Sequence, residues 1–552
     1  MTSIADNITT TTTAVRAATS RHDRGLRVRA DGVRPVIEYN AAPVTLRTAT
    51  EHYGSVLNRA FDFRGYLEML ASTGCNLTRT FVLFRELQSA TNPSSTCKPE
   101  SLNYLAPYAR SSPSVDEPRA LDGQPKFDLD RWDPEFFERL HEFCSLADSL
   151  GVVIELTMLS NTYGESIWQL NPLHPDNHVS GHRAVVGPIS WPEYLCERHE
   201  TLLARQEELV TKIVTECSGY PAVIFELCNE PGGDAPPSAG IDLVSVAEVN
   251  RWLRRLTAVI RSTDGGRHLV AGQPAFRYEP WQQSVDLAFP IGRRRDTADA
   301  VAVAVAANDN ADADEPVDVD VINVHPLPGT VLQGQTYDLG RFMNGDLAAE
   351  QVTAFCRAAA QCGTPVNLDE DNAATQYTNP FGWSLHRRRA WLAALHGCHY
   401  DMIDFTIRPG VPWEPDSPLR QWTRVLGNAC DEWHLCLATP VDDWRVADPE
   451  QRCRVVVVRP GKAAEHTYLA YVHDITETTS WTDPLAAAAA SLHPAVPAGR
   501  YRITCVDPVD GTQHPAQIIQ LSSGDAVPLP SFADDLLVVI TPDQPIPQAH
   551  PE

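Results

Sequence analysis

The chain has 552 residues, 43% hydrophobic and 21% charged, a composition that fits a globular protein with more than one structural unit. Its 45 basic and 71 acidic residues give a formal charge of −26, which argues against a duplex nucleic-acid or anionic-membrane partner and suits a neutral or cationic small molecule. No run approaches the ~18 apolar residues of a membrane span, and the Thr- and Ala-rich Met1–Arg21 lacks the apolar centre of a secretory signal. The expectation is a cytoplasmic protein whose first ~25 residues are disordered. The 13 cysteines show neither C-x-x-C nor zinc spacing, and read as buried free thiols.

From about Val36 short apolar runs alternate with amphipathic segments. The first run is near Pro43–Thr50, followed by a helical stripe of Phe63, Tyr66, Leu67 and Leu70. The second is Asn76–Val82. A helix over Pro134–Leu150 has Asp133 as N-cap, Pro134 at its first position and Gly151 just past its end. Further runs are Val152–Met158, Ala222–Cys228, His268–Gln273, Asp318–His325, Pro365–Glu370 and Asp401–Ile407. Helical stripes at Leu209, Ile213 and Cys217 and at Val249, Leu253, Leu256 and Ile260 separate three of them.

Eight strands alternating with helices predict an α/β fold, a (β/α)8 TIM barrel with long βα loops, over residues 36–435. Residues 1–35 form the tail and lead-in. A low-complexity stretch, 293–316, reads as a surface insertion. Beyond about Cys436 short β-type runs recur, at Arg454–Arg459, Tyr468–His473, Gly499–Asp507, Gln517–Leu521 and Asp535–Thr541, so 436–552 is expected to be an antiparallel β-sandwich.

In such a barrel the site lies at the C-terminal ends of the strands. There the fourth strand ends in Asn229-Glu230-Pro231, the sixth in His325-Pro326 and the seventh in Asp369-Glu370-Asp371, while Arg79 lies on the second. Two carboxylates facing each other across a barrel mouth suit glycoside hydrolysis, which needs one protonated carboxyl and one ionised. A separation of ~5–5.5 Å means retention and ~6.5–9.5 Å inversion. Asp369 and Asp371 are neighbouring rivals of Glu370. Trp168, Trp383 and Trp413 lie in loops after the third, seventh and eighth strands, where indoles can stack on sugars.

This set resembles the clan of retaining (β/α)8 glycoside hydrolases that includes cellulase-like family 5. The segments Ala49–Phe84 and Asn103–Trp132 are similar to those of a bacterial subgroup of cellulase-like hydrolases. The resemblance implies Glu230 as acid/base, Glu370 as nucleophile, Arg79 as its brace, Asn229 as a partner of the sugar 2-hydroxyl and His325 as a pocket residue. On this reading Glu230 should be raised in pKa by Glu370 and by burial, while Arg79 keeps Glu370 ionised. Two departures stand out. The third strand ends without the family's usual His, and Phe405 occupies the region of the usual eighth-strand Trp.

The implied function is a retaining glycoside hydrolase of a β-linked oligosaccharide or glycoconjugate, with no cofactor. A transglycosidase of the same mechanism and a non-catalytic carbohydrate-binding protein are the alternatives. Metal binding by Asp369, Glu370, Asp371 and His325 lacks a supporting motif. His52, Tyr53, Asn161 and Asn171 are further candidate sugar contacts, and Asp401 and Asp404 read as structural. The loops 86–131 and 160–191 are expected to wall one end of the cleft.

Overall fold

In this computed structural model residues 25–544 are described, except 31, 33, 52, 87–97, 113–117, 180, 182, 235–243, 279–281, 290–315, 341–346, 373–381, 412–413, 415 and 478–488. The expected tail Met1–Arg21, nearly all of 293–316, His52 and Trp413 lie outside the described residues.

Eight parallel strands form one sheet, each beside its chain neighbour. They are β1 (Arg47–Thr50), β2 (Leu77–Phe81), β3 (Val153–Ser160), β4 (Val223–Asn229), β5 (Leu269–Gly272), β6 (Val321–Val324), β7 (Val366–Asp371) and β8 (His399–Ile403). The seam between β1 and β2 is closed by Asn76. Its N–H donates to the Arg47 carbonyl at 3.0 Å, and its side-chain oxygen accepts from the Arg47 N–H at 2.9 Å. The sheet is thus a barrel sealed at one point by a side chain.

Around it run α1 (Phe63–Ser72), α2 (Pro134–Leu150), α3 (Glu200–Cys217), α4 (Val246–Asp264), the single turn α5 (Val285–Ala288), α6 (Ala349–Ala359), α7 (Gly382–Leu395) and α8 (Pro418–Trp433). Helix α2 has the ends its sequence predicts. The Asp133 carboxylate accepts from the Glu135 N–H, Pro134 opens the helix, and Gly151 ends it at φ 73°.

Strand β8 differs from expectation. It begins at His399, pairs Tyr400 to Ile403 with Arg47 to Thr50, and stops before Phe405. The chain leaves the sheet at Asp404, whose carboxylate accepts from the Thr406 N–H at 3.0 Å, a local turn that competes with the ladder.

The lead-in also carries structure. Leu26–Arg29 pairs antiparallel with Val36–Tyr39. Leu26 and Ile37 of this hairpin cluster with Leu77, Val153, Ile224, Leu269 and Val321, which lie at the starts of β2 to β6. The hairpin is therefore an apolar plug under the barrel, opposite the site. The expected cleft walls meet each other: the Phe127 N–H donates to the Asn177 carbonyl, and the Val179 N–H to the Phe127 carbonyl, both at 2.8 Å.

After the barrel comes a six-stranded antiparallel sheet containing Cys453–Arg459, Tyr468–Asp474, Gly499–Val506, Gln517–Leu521 and Asp535–Pro542. A three-stranded antiparallel sheet joins Arg445–Ala447, Ser491–His493 and Val527–Pro528. Residues of both sheets share one apolar cluster that includes Tyr468, Leu492, Tyr501, Val527 and Val538. Helix α7 binds this unit to the barrel. Buried Arg387 donates to Asp535 at 2.6 Å, and Trp391 stacks on Tyr471 with centroids 5.5 Å apart. The twelve described cysteines are all buried and unbridged.

Helix α8 meets the turn after α1 with almost no space between backbones. A Cβ on Gly427 would sit 2.6 Å from the Gly74 carbonyl oxygen. Gly427→Ala is expected to force the two backbones apart and cost ~1–3 kcal/mol, read as a lowered Tm with unchanged circular dichroism below the transition.

Candidate active site

The barrel interior below the rim is charged rather than filled by the branched apolar side chains usual for this fold. At its centre is Arg79 of β2, which is fully buried. Its guanidinium donates to Glu226 at 2.8 and 2.9 Å, to the Asn229 side-chain Oδ1 at 2.8 Å and to Glu370 at 2.8 Å. Asp369 lies 3.3 Å away. The Tyr53 ring packs on the guanidinium face, 4.7 Å from its carbon. Asn323 donates to both Glu155 and Glu226.

Above this base stand the two carboxylates expected from the strand ends. Glu230 directly follows β4 and accepts from His325 Nδ1 at 2.9 Å. Glu370 is on β7. His325, just past β6, places its Nε2 3.3 Å from Asp369 and 3.5 Å from Glu370. One oxygen each of Glu230 and Glu370 and a His325 nitrogen all lie within 4.8 Å of one another. Both carboxylates keep a small exposed area, 15% for Glu230 and 10% for Glu370, while Asp369 has none. A reactant arriving from the rim therefore meets Glu370 and not Asp369.

Backbone strain aims these groups. Glu230 (φ 45°), Glu370 (φ 54°), Tyr163 (φ 55°) and Tyr53 (φ 60°) all hold left-handed conformations that disfavour side chains. Each costs ~1–3 kcal/mol, sustained by the surrounding hydrogen bonds. At Glu370 the cause is a bulge: pairing with β8 shifts register between Leu368 and Asp371. The bulge turns Glu370 into the mouth while both neighbours stay buried. Asp371 points the other way, to Arg389 at 3.0 Å and the Tyr400 hydroxyl at 2.8 Å.

The distribution of charge differs from expectation. His325 is held well above the usual histidine range by the anions around it, chiefly Glu370, Asp369 and Glu230, although burial opposes this. Burial also acts on Glu230, but contact with the His325 imidazolium and a hydrogen bond from Tyr163 outweigh it and hold this carboxyl below the usual range. Glu370 is pushed up to about 7, mainly by burial, with Glu230 and Asp369 adding and His325 and Arg79 opposing. In the open site, then, Glu230 is the more acidic carboxyl and Glu370 the less. This reverses the order expected from the sequence, because the imidazolium beside Glu230 comes from a separate strand end.

Other expected contacts are redistributed. Trp168 is fully buried, donates to the Ile189 carbonyl at 2.8 Å and lies against Tyr194, so it is a packing residue and no sugar platform. Asn171 accepts from the Leu173 N–H and holds its own loop. Asn161 donates to the Glu230 carbonyl at 2.9 Å and to the Tyr278 hydroxyl at 2.6 Å, supporting Glu230 from behind. Asn229 is engaged on both sides, by Arg79 and by the Tyr163 hydroxyl at 2.7 Å. Trp383 is half-buried beside a cavity of about 280 Å³ lined by Met69, Ile407, Arg408 and Glu414. Phe405 is buried.

Three functional neighbours were missed. The Tyr163 hydroxyl accepts from the Asn229 amide at 2.7 Å, beside Glu230. Gln273, just past β5, accepts from the Glu230 N–H at 2.7 Å. Tyr278 follows a short strand, Phe276–Arg277, that pairs with Gly232-Gly233. That glycine pair was a legible signal of close approach: a Cβ on Gly232 would lie 2.8 Å from the Tyr278 ring. A divalent ion could reach Glu230, His325 and Glu370, but the Arg79 guanidinium already lies against Glu370 and opposes a second cation there.

A (β/α)8 barrel with a carboxylate pair across its mouth defines a glycoside hydrolase. The model of the cellulase family, glycosyl hydrolase family 5, matches residues 115–399, just over half of the chain, and the chain belongs to that family. No curated protein matches it. A solved structure described as a glycoside hydrolase is 12% identical with a TM-score of 0.54, the match covering 95% of this chain and 98% of that one. A family 5 glycoside hydrolase from Bacteroides vulgatus ATCC 8482 is 13% identical with a TM-score of 0.53, covering 94% of each chain. At these identities the likeness is one of fold.

Arg79→Met is expected to cost ~3–5 kcal/mol, because it leaves Glu226, Asp369 and Glu370 buried without their cation. The loss is to be read from chemical denaturation, and it should be smaller at pH 5 than at pH 8, since protonation then relieves the unpaired carboxylates.

Proposed function

We propose that the chain is a retaining glycosidase acting on a β-linked glycoside by double displacement, with Glu230 as acid/base and Glu370 as nucleophile. The observation that carries this reading is the spacing. Carboxylate oxygens within 4.8 Å of each other suit direct attack on the anomeric carbon and leave no room for the water that inversion requires.

The protons can be followed through the site. The proton for the leaving oxygen is stored on His325 and passes along the 2.9 Å contact from Nδ1 to Glu230. As a sugar displaces water from the mouth, charge separation between His325 and Glu230 becomes dearer, which favours the neutral acid. Glu230 then protonates the glycosidic oxygen while ionised Glu370 attacks the anomeric carbon on the opposite face. In the second step Glu230 takes a proton from water, which releases the sugar from Glu370 with its configuration restored. Arg79 and His325 stabilise the Glu370 carboxylate both as it departs and in the resting site. A sugar acceptor in place of water would give transglycosylation. The half-buried Trp383 offers an apolar face close to the β8 loop for an additional sugar.

Hydrolysis of an aryl β-glycoside panel, followed by proton NMR, should give a first product with the substrate's anomeric configuration; the opposite anomer would refute double displacement. Glu370→Ala should abolish turnover, and added azide should restore formation of a glycosyl azide of inverted configuration. Glu230→Gln should lower kcat on substrates with poor leaving groups by ~10²–10⁴-fold. Because Glu370 must be ionised and its carboxyl is held at about 7, kcat/KM should fall about tenfold per unit as pH drops below that value.

A further inference from the structure

Gln283 stands on a short rim strand, Gln282–Gln283, with its side chain fully buried. Its Nε2 donates one hydrogen to the His325 carbonyl at 2.5 Å and the other to the Thr330 hydroxyl oxygen at 2.8 Å. Both partners can only accept here. The carbonyl has no hydrogen, and the Thr330 hydroxyl gives its own to the Leu327 carbonyl at 3.1 Å. Turned over, the amide would set its oxygen against two acceptors, so its orientation is fixed by its partners. It holds this orientation although Oε1 meets no donor among the described residues, and an unsatisfied buried acceptor is costly.

The strand that carries Gln283 belongs to a three-stranded sheet on the rim. It pairs antiparallel with Phe276–Arg277, which pairs parallel with Gly232–Gly233. That glycine pair continues the chain from Glu230 through Pro231, whose carbonyl accepts from the Phe276 N–H at 2.9 Å. The packing has no slack: a Cβ on Gly232 would lie 2.9 Å from the Phe276 ring. On the other side, a backbone bridge joins Ser284 to Val331, beyond His325. One edge of this sheet thus grows out of Glu230, and the other grips the backbone of His325 and the turn after it.

We propose that Gln283 is a positioning residue of the acid/base: its amide fixes the His325 backbone relative to the end of β4, and so keeps His325 Nδ1 in its 2.9 Å contact with Glu230. This rests on the reading of Glu230 as acid/base. The hold is needed because the imidazolium is pulled both ways. Its Nε2 lies 3.3 Å from Asp369 and 3.5 Å from Glu370, both on β7, and only Glu230 draws it toward β4. With its backbone released, the ring would settle toward the two carboxylates of β7 and leave Glu230 without its proton donor.

The test uses the full chain and reads Glu230 directly, by 13C NMR of glutamate-labelled protein with the resonance assigned from Glu230→Gln. The groups that face Glu230 are His325, Glu370, Arg79 and the neutral Tyr163, Tyr278 and Cys228, and of these Gln283 bonds His325. Gln283→Met fills the same space without the amide. Glu230 should then titrate at least about one pH unit higher than in the wild type, because a carboxylate that loses a cationic partner holds its proton more firmly. An unshifted Glu230 overturns the proposal. Thr330→Val removes the second partner of the amide and keeps the first, so Glu230 should titrate as in the wild type. A shift equal to that of Gln283→Met would show a staple of the 325–330 turn and no hold on His325, and would also overturn it. If Gln283→Met does not fold, Gln283→Leu carries the same expectation and the same refutation.

Activity gives a second reading. In Gln283→Met, kcat/KM for phenyl β-glycosides should fall ~10-fold or more, while dinitrophenyl β-glycosides, whose leaving group needs no proton, should change less than about threefold. Equal losses on both would mean a general disturbance of the mouth and count against the proposal. If Glu230→Gln itself fails to separate the two substrates, it is the acid/base reading that falls, whereas an unshifted Glu230 resonance in Gln283→Met removes only the role of Gln283.

Discussion

One buried guanidinium governs this barrel. Arg79 has no exposed surface, and each of its nitrogens meets a carboxylate or the Asn229 side-chain oxygen. Taking an arginine out of water carries a large desolvation cost, offset only where several anions converge with good geometry. Those anions arrive from β4 and β7, so the arrangement exists only when β2, β4 and β7 are in register around the barrel. Folding and assembly of the site are therefore the same event. The interior layer that other barrels fill with Val, Ile and Leu is here a charge network, and Glu226, Asn323 and Glu155 complete its hydrogen bonding.

The stable base allows strain above it. Left-handed backbone at Glu230, Glu370, Tyr163 and Tyr53 carries a cost that the surroundings must offset. It persists here because Gln273 and Asn161 hold both sides of the Glu230 peptide, and Arg79 and the β7 bulge hold Glu370. The network reaches beyond the barrel. Helix α7 binds Asp371 through Arg389 and the C-terminal sheet through Arg387 and Arg388. The residue next to Glu370 is thus fastened to a helix that the C-terminal unit clamps from outside, which gives that unit a buttressing role.

Electrostatics divide the labour among chemically similar groups. Asp369, Glu370 and Asp371 are consecutive in the chain, yet one faces His325 and Arg79, one the mouth, and one Arg389 and Tyr400. Alternation along a strand cannot separate three neighbours in this way; the bulge does. His325 lies between the two carboxylates of the mouth, 2.9 Å from Glu230 and 3.5 Å from Glu370.

Much of this was legible from local patterns. Helix α2 with its Asp133 cap and Gly151 end, the Asn229-Glu230 terminus of β4 and the position of Arg79 follow from periodicity, capping and strand order, which depend on residues a few positions apart. The same holds for the C-terminal strands Gln517–Leu521 and Tyr468–Asp474, seen as apolar alternation between turns. Tertiary structure alone decided that Trp168 packs in the core while Trp383 stays half-buried, that β8 ends before Phe405, and that Tyr163 and Tyr278 close on Glu230. It also decided where the protons rest. The charge state of a buried carboxyl depends on burial and on partners within a few ångströms, and His325, Asp369 and Glu230 come from strands separated by tens of residues up to more than a hundred. Sequence determined which chemical groups reach the barrel mouth, because strand order and strand ends are local properties. Only the closed barrel determined which of them carries charge, because that depends on distances across its interior.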